Sequence, residues 1–329
     1  MNAGTKIKFA VVGCGHIGKK HADIISSNKD CELVALCDSD IKAAEVLDAK
    51  AVAIYRTIDE LLASGIDLDV LCIATPNGLH EEHALKALRA KKHVVIEKPM
   101  ALTSAGCEKI IKESLLQERQ VFCVMQNRYS PPAAWLKDIV AGNRLGNIFM
   151  VQVNCYWNRD ERYYTKGNWH GTKEMDGGVL FTQFSHFIDT LLWVFGDIVN
   201  ISSRIANFKH DELAISGDSG FVNFDFKEGG MGCFNFSTAV WDTNLESSIT
   251  VIAENGTVKI GGQYMNELQY CDIKDYLMPR PGSTHANNHY FVIENVVNVL
   301  KGQDHIYISA TEGLKTVEVI ERIYKSINE

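Results

Sequence analysis

A glycine pattern near the start of the chain has the residue types and spacing to hold a phosphate-containing ligand. The sequence GCGHIG at 13–18 follows a run of β-forming residues from Ile7 to Val12 and precedes a helix-compatible segment. In such a turn the first glycine allows a tight bend, the second lets the backbone approach a pyrophosphate, and the third lets helix and strand pack closely. The N-terminus of the helix offers free N–H groups and a positive dipole to the phosphates. The pattern predicts dinucleotide contacts at Gly13, Gly15, His16, Ile17 and Gly18.

A single acid completes this pattern. Asp38 ends a second apolar run and lies about 20 residues beyond the last glycine, where a carboxylate can accept hydrogen bonds from an adenosine ribose. A glycine-rich structural turn is the alternative, but the preceding strand and the following acid favour a dinucleotide. Asp38 is followed by Ser39 and Asp40 without an adjacent arginine to neutralise a 2′-phosphate, although Lys42 is close. The sequence therefore favours NAD over NADP.

Length and charge limit the functions that the chain can have. With 329 residues, two domains are expected. A net charge of −8 argues against a nucleic-acid or anionic-membrane partner, which would require clustered lysine and arginine. No apolar run approaches the length of a membrane span, and Met1–Lys8 lacks the pattern of a signal peptide. A cytoplasmic protein is expected. The nine cysteines are scattered without a CxxC pair, so we expect buried reduced thiols and no metal site.

The first part of the chain predicts a doubly wound parallel sheet, which is the Rossmann type of α/β fold. Continuous apolar runs at Asp69–Ala74, His93–Ile96 and Val121–Met125 suit strands buried on both faces, and helix-compatible segments alternate with them. Ligands of such sheets bind beyond the carboxyl ends of the strands, where Thr75 and Lys98 fall together with the glycine turn.

The second part predicts a different architecture. A long strand at Asn147–Trp157 and one buried helix at Gly177–Phe195 precede a region of mostly strands from about 199 to 278. Two helices, about 289–300 and 311–327, close the chain. We predict a dinucleotide-binding domain at 1–127 and an α+β domain for substrate binding and oligomerisation at 128–329, built on a large, mainly antiparallel sheet. A wide open sheet needs its exposed face covered, so a homodimer or homotetramer is expected.

Motifs along nearly the whole chain resemble those of the glucose-fructose oxidoreductase and inositol dehydrogenase family (Gfo/Idh/MocA). They are GCGHIG, ATPNGLH at Ala74–His80, EKP at Glu97–Pro99, GGVLFTQFSHFID at Gly177–Asp189, and the terminal patterns HYFVIENVVNVLKG and ISATEGLKTVEVIERIYKS. The resemblance implies a nicotinamide-dependent oxidoreductase that acts on a hydroxyl of a sugar, a cyclitol or a related compound.

The resemblance also implies two catalytic residues. Lys98 matches the lysine of the EKP motif, near the nicotinamide and the substrate hydroxyl, where an ammonium can stabilise a developing alkoxide. The peptide before Pro99 is often cis in this family. His186 matches the helix histidine that serves as general base. Outside this context, Lys98 would be interpreted as a surface lysine and His186 as a core histidine.

Other positions follow from the same match. Many members have an aspartate where this chain has Thr182, and we expect Thr182 and the neighbouring Gln183 to share a helix face with His186 and contact substrate. The missing carboxylate puts an Asp-His pairing in doubt, and Asp189 either orients the imidazole or is structural. Arg128 is a candidate contact for cofactor or substrate, with an interdomain salt bridge as the alternative, and His80 is either a cofactor contact or a helix cap. The remaining predicted cofactor contacts are Thr75, Asn77, His80, Glu97, Lys98 and Asn127.

A basic, aromatic stretch at Tyr156–Asp176 bears on the substrate. Aromatic rings stack on sugars and bases, and arginine binds phosphates or carboxylates through paired hydrogen bonds. An oligomer contact is an equal alternative, because tyrosine, tryptophan and arginine also dominate interfaces. With the Thr-Gln-x-x-His variant, the stretch looks most like the branch that oxidises C3 of UDP-N-acetylglucosaminuronate in surface-polysaccharide synthesis. The candidate substrate contacts are Lys98, Arg128, Arg159, Tyr163, Trp169, Thr182, Gln183 and His186.

The leading hypothesis is reversible oxidation of a sugar hydroxyl to a 3-keto sugar, with a small sugar or nucleotide sugar as partner. A dehydrogenase of a free sugar or inositol is one alternative. A redox-neutral NAD-dependent enzyme that processes glycosides is a second. A non-catalytic NAD-binding regulator is the third, and the presence of both Lys98 and His186 argues against it.

Overall fold

A computed structural model describes residues 5–46, 52–165, 167–210, 217–277 and 288–328. The chain forms two compact units, Met1–Met125 with Asn287–Val317 and Gln126–Ala286 with Glu318–Glu329. The division into domains at 1–127 and 128–329 stays a prediction. Residues 288–317, which that division places in the second domain, belong to the first compact unit.

The first unit is built on six parallel strands in the order β3-β2-β1-β4-β5-β6. Alternating apolar runs and helices produce this arrangement, because each parallel crossover requires a helix to return the chain to the same end of the sheet. All four residues of the central β4 are buried, as a strand covered on both faces requires. The predicted Rossmann fold is confirmed. The strands are β1 Ile7–Val12, β2 Cys31–Cys37, β3 Ala53–Tyr55, β4 Val70–Ile73, β5 His93–Ile96 and β6 Val121–Cys123.

Helices connect these strands, and local side-chain caps fix several of their starts. Thr57 accepts a hydrogen bond from the Glu60 N–H at 3.1 Å, and Thr103 accepts one from the Gly106 N–H at 3.0 Å. The helices are α1 His16–Ser27, α2 Ile41–Glu45, α3 Ile58–Ala63, α4 His80–Arg89 and α5 Ser104–Gln117.

The second unit is built on a seven-stranded sheet in the order β13-β12-β11-β7-β10-β9-β8. Only the β7–β10 pair among these strands is parallel, so the predicted mainly antiparallel sheet is confirmed. A tight turn at Glu254-Asn255 joins β11 to β12. The strands are β7 Ile148–Tyr156, β8 Ile198–Ala206, β9 Ser219–Phe226, β10 Met231–Ser237, β11 Glu246–Ala253, β12 Gly256–Gly261 and β13 Glu267–Ile273.

The two faces of this sheet differ. On the inner face Phe234 and Phe236 are buried and contact Phe184, with ring centroids 6.3 and 5.7 Å away. On the outer face large apolar side chains remain exposed, including Phe221 at 56% and Met231 at 57%. Three helices of this unit are α6 Pro131–Ala141, α7 Val179–Thr182 and α8 Ser185–Phe195.

The prediction of one helix over 177–195 is wrong. The chain forms α7 and α8 with a break at Gln183 and Phe184, where the N–H groups of both residues donate to the Val179 carbonyl at 2.9 and 3.0 Å. This wide turn interrupts the regular helix spacing on which the expected shared face of Thr182 and His186 depended.

Two helices, α9 Asn288–Leu300 and α10 Ala310–Lys325, close the chain near their predicted positions. The first packs on α1, and Lys301 just beyond it forms an ion pair with Asp30 at 2.6 Å. No helix in the described part of the chain is long and apolar enough to cross a membrane. The cytoplasmic location stays a prediction.

Candidate functional site

The glycine turn between β1 and α1 has the shape that a pyrophosphate requires. Gly13 has φ +89°, and a methyl group there would lie 2.5 Å from the Ala74 carbonyl oxygen. A methyl group at Gly18 would overlap the Gly13 carbonyl oxygen. By contrast, no atom of the described residues, apart from Gly15 and its two chain neighbours, lies within 4 Å of a methyl group built at Gly15. Two of the glycines are therefore required by the fold itself, and the open side of Gly15 at the start of α1 fits an approaching dinucleotide.

Asp38 is held against this turn at the end of β2. Its Oδ2 accepts a hydrogen bond from the Cys14 N–H at 2.6 Å, and its Oδ1 accepts one from the Asp40 N–H at 2.9 Å. Each carboxylate oxygen has a second lone pair for another donor. The structure thus brings the acid and the glycine turn together, as an adenosine-binding site requires.

The loop after β4 carries Thr75, Asn77 and His80. Asn77 and His80 are buried, and the His80 nitrogens lie 2.8 Å from the Thr75 carbonyl oxygen and 2.7 Å from the Pro99 carbonyl oxygen. Burial lowers the pKa of His80, although the contacts with these two carbonyl oxygens act to raise it. Both ring nitrogens face backbone acceptors, so His80 ties the loop after β4 to the loop after β5 and offers neither nitrogen to a cofactor.

The loop after β5 contains the EKP motif, and its Lys98–Pro99 peptide is cis, as the resemblance implies. Glu97 is buried, with Oε1 at 2.8 Å from His21 Nε2 and 3.7 Å from His289 Nε2. Burial would raise the pKa of Glu97, but the hydrogen bond from His21 and the nearby positive charge of Lys98 lower it to about 2. Burial also lowers the pKa of His289 to about 3. A buried carboxylate therefore directly precedes Lys98, and its two histidine partners were missed by the sequence-based search for site residues.

In the second unit, His186 lies buried in the first turn of α8. Its Nε2 is 3.0 Å from the side-chain nitrogen of Gln126, and its carbonyl accepts a hydrogen bond from Thr190 at 2.8 Å. Gln126 was missed as a site residue, although it directly precedes the predicted pair Asn127 and Arg128. The contact lets an amide orient the imidazole, which is the task that a carboxylate was expected to perform.

Arg128 forms a buried ion pair with Asp189, and its contact with cofactor or substrate stays a prediction. Its guanidinium makes two hydrogen bonds to Asp189, at 2.9 and 2.7 Å, and lies 5.5 Å from the Trp193 ring centre. Arg128 and Asp189 belong to the same unit, and both are buried. Asn127, the residue before Arg128, is also buried. Its contact with the cofactor stays a prediction.

The basic, aromatic stretch brings three predicted substrate contacts together. Arg159 Nε donates to Gln183 Oε1 at 2.9 Å, and Gln183 Nε2 donates to the Tyr163 hydroxyl at 2.7 Å. The guanidinium lies 4.7 Å from the Trp157 ring centre and 5.1 Å from that of Tyr163. A cation held between two rings and an amide is oriented before any ligand arrives.

Trp169 and Thr182 have different surroundings. Trp169 stacks on His170, with ring centroids 3.9 Å apart. The Thr182 hydroxyl donates to Asp176, at 2.7 Å to Oδ1, and the same carboxylate accepts the N–H groups of Gly171 and Gly178. Thr182 thus helps to fold the loop, and Asp176, which the sequence did not mark as a site residue, organises it. The described residues contain no group of three or more His, Cys, Asp and Glu placed to hold a metal ion.

An NAD-binding oxidoreductase unit is defined by the parallel sheet, the glycine turn and Asp38, which is held against that turn. Comparison with known families agrees, since residues 7–126 match the model of the oxidoreductase family with an NAD-binding Rossmann fold, and residues 134–259 match the GFO/IDH/MocA C-terminal domain. The chain belongs to the Gfo/Idh/MocA family, and it is an NAD-dependent oxidoreductase.

Solved structures with the same fold include two WlbA dehydrogenases, each crystallised with NADH and UDP-GlcNAcA. The protein from Bordetella pertussis is 32% identical with a TM-score of 0.90, covering 98% of this chain and 97% of that one. The protein from Chromobacterium violaceum is 30% identical with a TM-score of 0.93, covering 99% of this chain and 95% of that one. Among curated proteins, glucose-6-phosphate 3-dehydrogenase of Bacillus subtilis is 31% identical over 60% of this chain, a match that spans 56% of that relative.

Proposed function

We propose that this enzyme oxidises C3 of a UDP-linked N-acetyl sugar or uronate reversibly, using NAD, in the synthesis of surface polysaccharides. The observation that carries the proposal is the oriented Arg159 cation, held by Gln183 and two aromatic rings in a chain of net charge −8. A fixed guanidinium suits a phosphate or carboxylate group, and aromatic faces suit a sugar or base. The similarity to two dehydrogenases crystallised with UDP-GlcNAcA supports the same substrate class.

The proposed chemistry divides one oxidation between two side chains. The His186 imidazole accepts the hydroxyl proton, and Gln126 keeps the ring oriented through its contact with Nε2. The Lys98 ammonium stabilises negative charge that develops on the same oxygen. When bound, NAD would supply the acceptor for the hydride that leaves C3, the carbon that carries this hydroxyl. Loss of the proton and the hydride leaves a ketone at C3, and the reverse transfer restores the alcohol.

The test is formation of reduced nicotinamide when NAD is mixed with a substrate panel. The panel contains UDP-N-acetylglucosaminuronate, neutral UDP-sugars, free hexoses and inositol, with and without a keto acid that reveals turnover hidden by retained NADH. We expect a signal with the UDP-uronate, lowered about 100-fold or more in Lys98→Ala and His186→Ala, which is the usual scale of acid-base and electrostatic contributions.

Matched controls separate chemistry from folding. Lys109→Ala and His305→Ala remove an exposed lysine and an exposed histidine and should leave the rate unchanged. A signal only with free sugars or inositol would keep the dehydrogenase class and contradict the UDP-sugar proposal. No signal with any substrate, despite bound NAD, would favour the redox-neutral or regulatory alternatives.

We also propose that copies of the chain associate through the outer face of the seven-stranded sheet, as a homodimer or homotetramer. Apolar side chains of four neighbouring strands are exposed there: Met150, Phe221, Met231 and Ile252. Met231, Met150 and Ile252 lie side by side across three strands, and association with a second copy would remove them from water.

A further inference from the structure

A second buried acid and histidine pair lies behind the backbone of Arg159. His210 Nδ1 is 3.2 Å from Asp218 Oδ2, and His210 Nε2 is 2.6 Å from the Arg159 carbonyl oxygen. His210 is 7% exposed and Asp218 is 0% exposed. These residues join β9 to the aromatic stretch that contains Arg159.

The two ring nitrogens of His210 face different oxygen acceptors. A carbonyl oxygen has no proton to give, so His210 Nε2 must donate to Arg159. Asp218 already accepts the N–H groups of Phe208 and Lys209 and the hydroxyl of Ser219, at 3.0, 2.7 and 2.8 Å. Burial would raise the pKa of Asp218, but the bond from His210 and these other donors lower it to about 2. The carboxylate is therefore an anion, and the His210 ring bridges it to the Arg159 backbone carbonyl.

Arg159 is fixed at both of its backbone polar groups. Its N–H donates to the Thr238 carbonyl at 2.8 Å, and its carbonyl accepts the bond from His210. The edge of the His210 ring also packs on Tyr164, with centroids 4.9 Å apart. Because the peptide unit is planar, fixing both groups restricts the direction in which the Arg159 side chain leaves the backbone. The guanidinium contacts with Trp157, Tyr163 and Gln183 depend on that direction.

We propose that Asp218 and His210 form a clamp that positions Arg159 and thereby sets the affinity of the site for an anionic group of the substrate. This inference rests on the proposed function, in which Arg159 binds the diphosphate or the carboxylate of a nucleotide sugar. His210 is a positioning residue, since it acts through Arg159 and the substrate contact belongs to the guanidinium.

The experiment compares His210→Phe, Arg159→Ala and the double variant, with two substrates: UDP-N-acetylglucosaminuronate, and UDP-N-acetylglucosamine, whose sugar carries no carboxylate. Phenylalanine keeps a ring against Tyr164 and removes both donors. We expect His210→Phe to raise the KM for the uronate about tenfold, the scale set by loss of one charged contact, with the KM for NAD unchanged. The double variant should raise the KM for the uronate no further than Arg159→Ala alone does, because both changes remove the same interaction. A rise for the uronate alone identifies the carboxylate as the bound group, and a rise for both substrates identifies the diphosphate.

Two further variants protect the test against simple loss of folding. His210→Gln retains an amide that can donate to the Arg159 carbonyl. Its KM for the uronate should be close to that of the unmodified enzyme. Ser203→Ala removes hydrogen bonds from the adjacent strand β8 and should change stability without changing the KM. An unchanged KM in His210→Phe, while Arg159→Ala raises it, overturns the clamp and leaves the proposed function standing. Absence of turnover with either UDP-sugar in the unmodified enzyme contradicts the proposed function and the clamp together.

Discussion

Asp189 accepts two hydrogen bonds from Arg128 in a pair whose side chains are 1% and 4% exposed. Asp189 lies three residues beyond His186 on α8, and Arg128 lies two residues beyond Gln126. The ion pair therefore joins the two segments whose side chains meet at the predicted general base. Its expected contribution is to the geometry of His186, since a buried pair adds little net stability over apolar residues of the same size.

Removing one member of this pair should be costly. Asp189→Asn removes the carboxylate charge that accepts two hydrogen bonds from the buried Arg128 guanidinium, and we expect the free energy of unfolding in urea to fall by about 3–5 kcal/mol. Asp59→Asn is the control, because Asp59 forms an exposed pair with Lys86, for which a loss below about 1 kcal/mol is expected. Equal losses in the two variants would show that the buried charge is compensated in another way.

Stability should also fall in acid because of the cluster beside Lys98. The pKa of His289 is lowered to about 3 by burial, so the folded protein keeps this ring neutral while the unfolded chain takes up a proton below about pH 6.5. The unfolded state then binds more protons, and stability declines as the pH falls from about 6.5 towards 3, by about 1.4 kcal/mol per pH unit from this group. Glu97, with its pKa lowered to about 2, adds a loss in the same direction below about pH 4.3.

Urea unfolding at several pH values checks this assignment. His289→Gln should reduce the slope of the unfolding free energy against pH between pH 6.5 and pH 4.5. The reduction should correspond to about one proton fewer taken up on unfolding. The same slope in His289→Gln as in the unmodified protein would assign the acid sensitivity to other histidines, such as His80 and His93, whose pKa values burial also lowers.

The cofactor half of the site could be predicted from sequence because its determinants are local. The glycine turn and Asp38 lie within one strand-helix-strand unit, and parallel strands buried on both faces leave continuous apolar runs. The pairs Gln126 with His186 and His210 with Arg159 are separated by 60 and 51 residues. Nothing in a local pattern selects such partners, since the sheet register that brings them together is set by the whole core.

The helix break at Gln183 and Phe184 could not be predicted for a related reason. Apolar residues occur on both sides of the break, and neither glycine nor proline marks it. Packing of Phe184 against Trp157 and the inner sheet face, together with the bond from Thr182 to Asp176, favours the wide turn over a regular helix. Tertiary contacts therefore determine this local geometry, although the sequence pattern favours one continuous helix.

Cofactor preference should depend on Asp38. Replacing it by glycine and Ser39 by arginine removes the ribose acceptor and adds a partner for a 2′-phosphate. We expect the ratio of kcat/KM for NAD to that for NADP to fall about 100-fold, which is roughly 2.7 kcal/mol of discrimination. Asp40→Asn, which changes a neighbouring carboxylate that caps α2, should keep the preference for NAD. An unchanged ratio in the double variant would place cofactor discrimination elsewhere.

The oligomeric state should respond to charge on the outer sheet face. Phe221→Glu and Met231→Glu place carboxylates on neighbouring strands of the exposed apolar surface, where burial of an unpaired charge against a second copy is unfavourable. Light scattering coupled to gel filtration should show a smaller assembly than the unmodified protein forms. Lys227→Glu, in the turn between β9 and β10, is the control for added charge. An unchanged mass in both face variants would exclude this surface as the interface.

The two glycines that flank His16 and Ile17 should respond to alanine in opposite ways. Gly15 has φ −69° and open space at its side, so Gly15→Ala should leave the free energy of unfolding unchanged or raise it by about 0.5 kcal/mol through reduced freedom of the unfolded chain. It should still weaken NADH binding about tenfold or more in a fluorescence titration, because the methyl group occupies the approach of the pyrophosphate. Gly18→Ala should instead lower stability by about 3 kcal/mol or more, since its methyl group overlaps the Gly13 carbonyl oxygen. Full NADH affinity in Gly15→Ala would contradict a dinucleotide seated on this side of the turn.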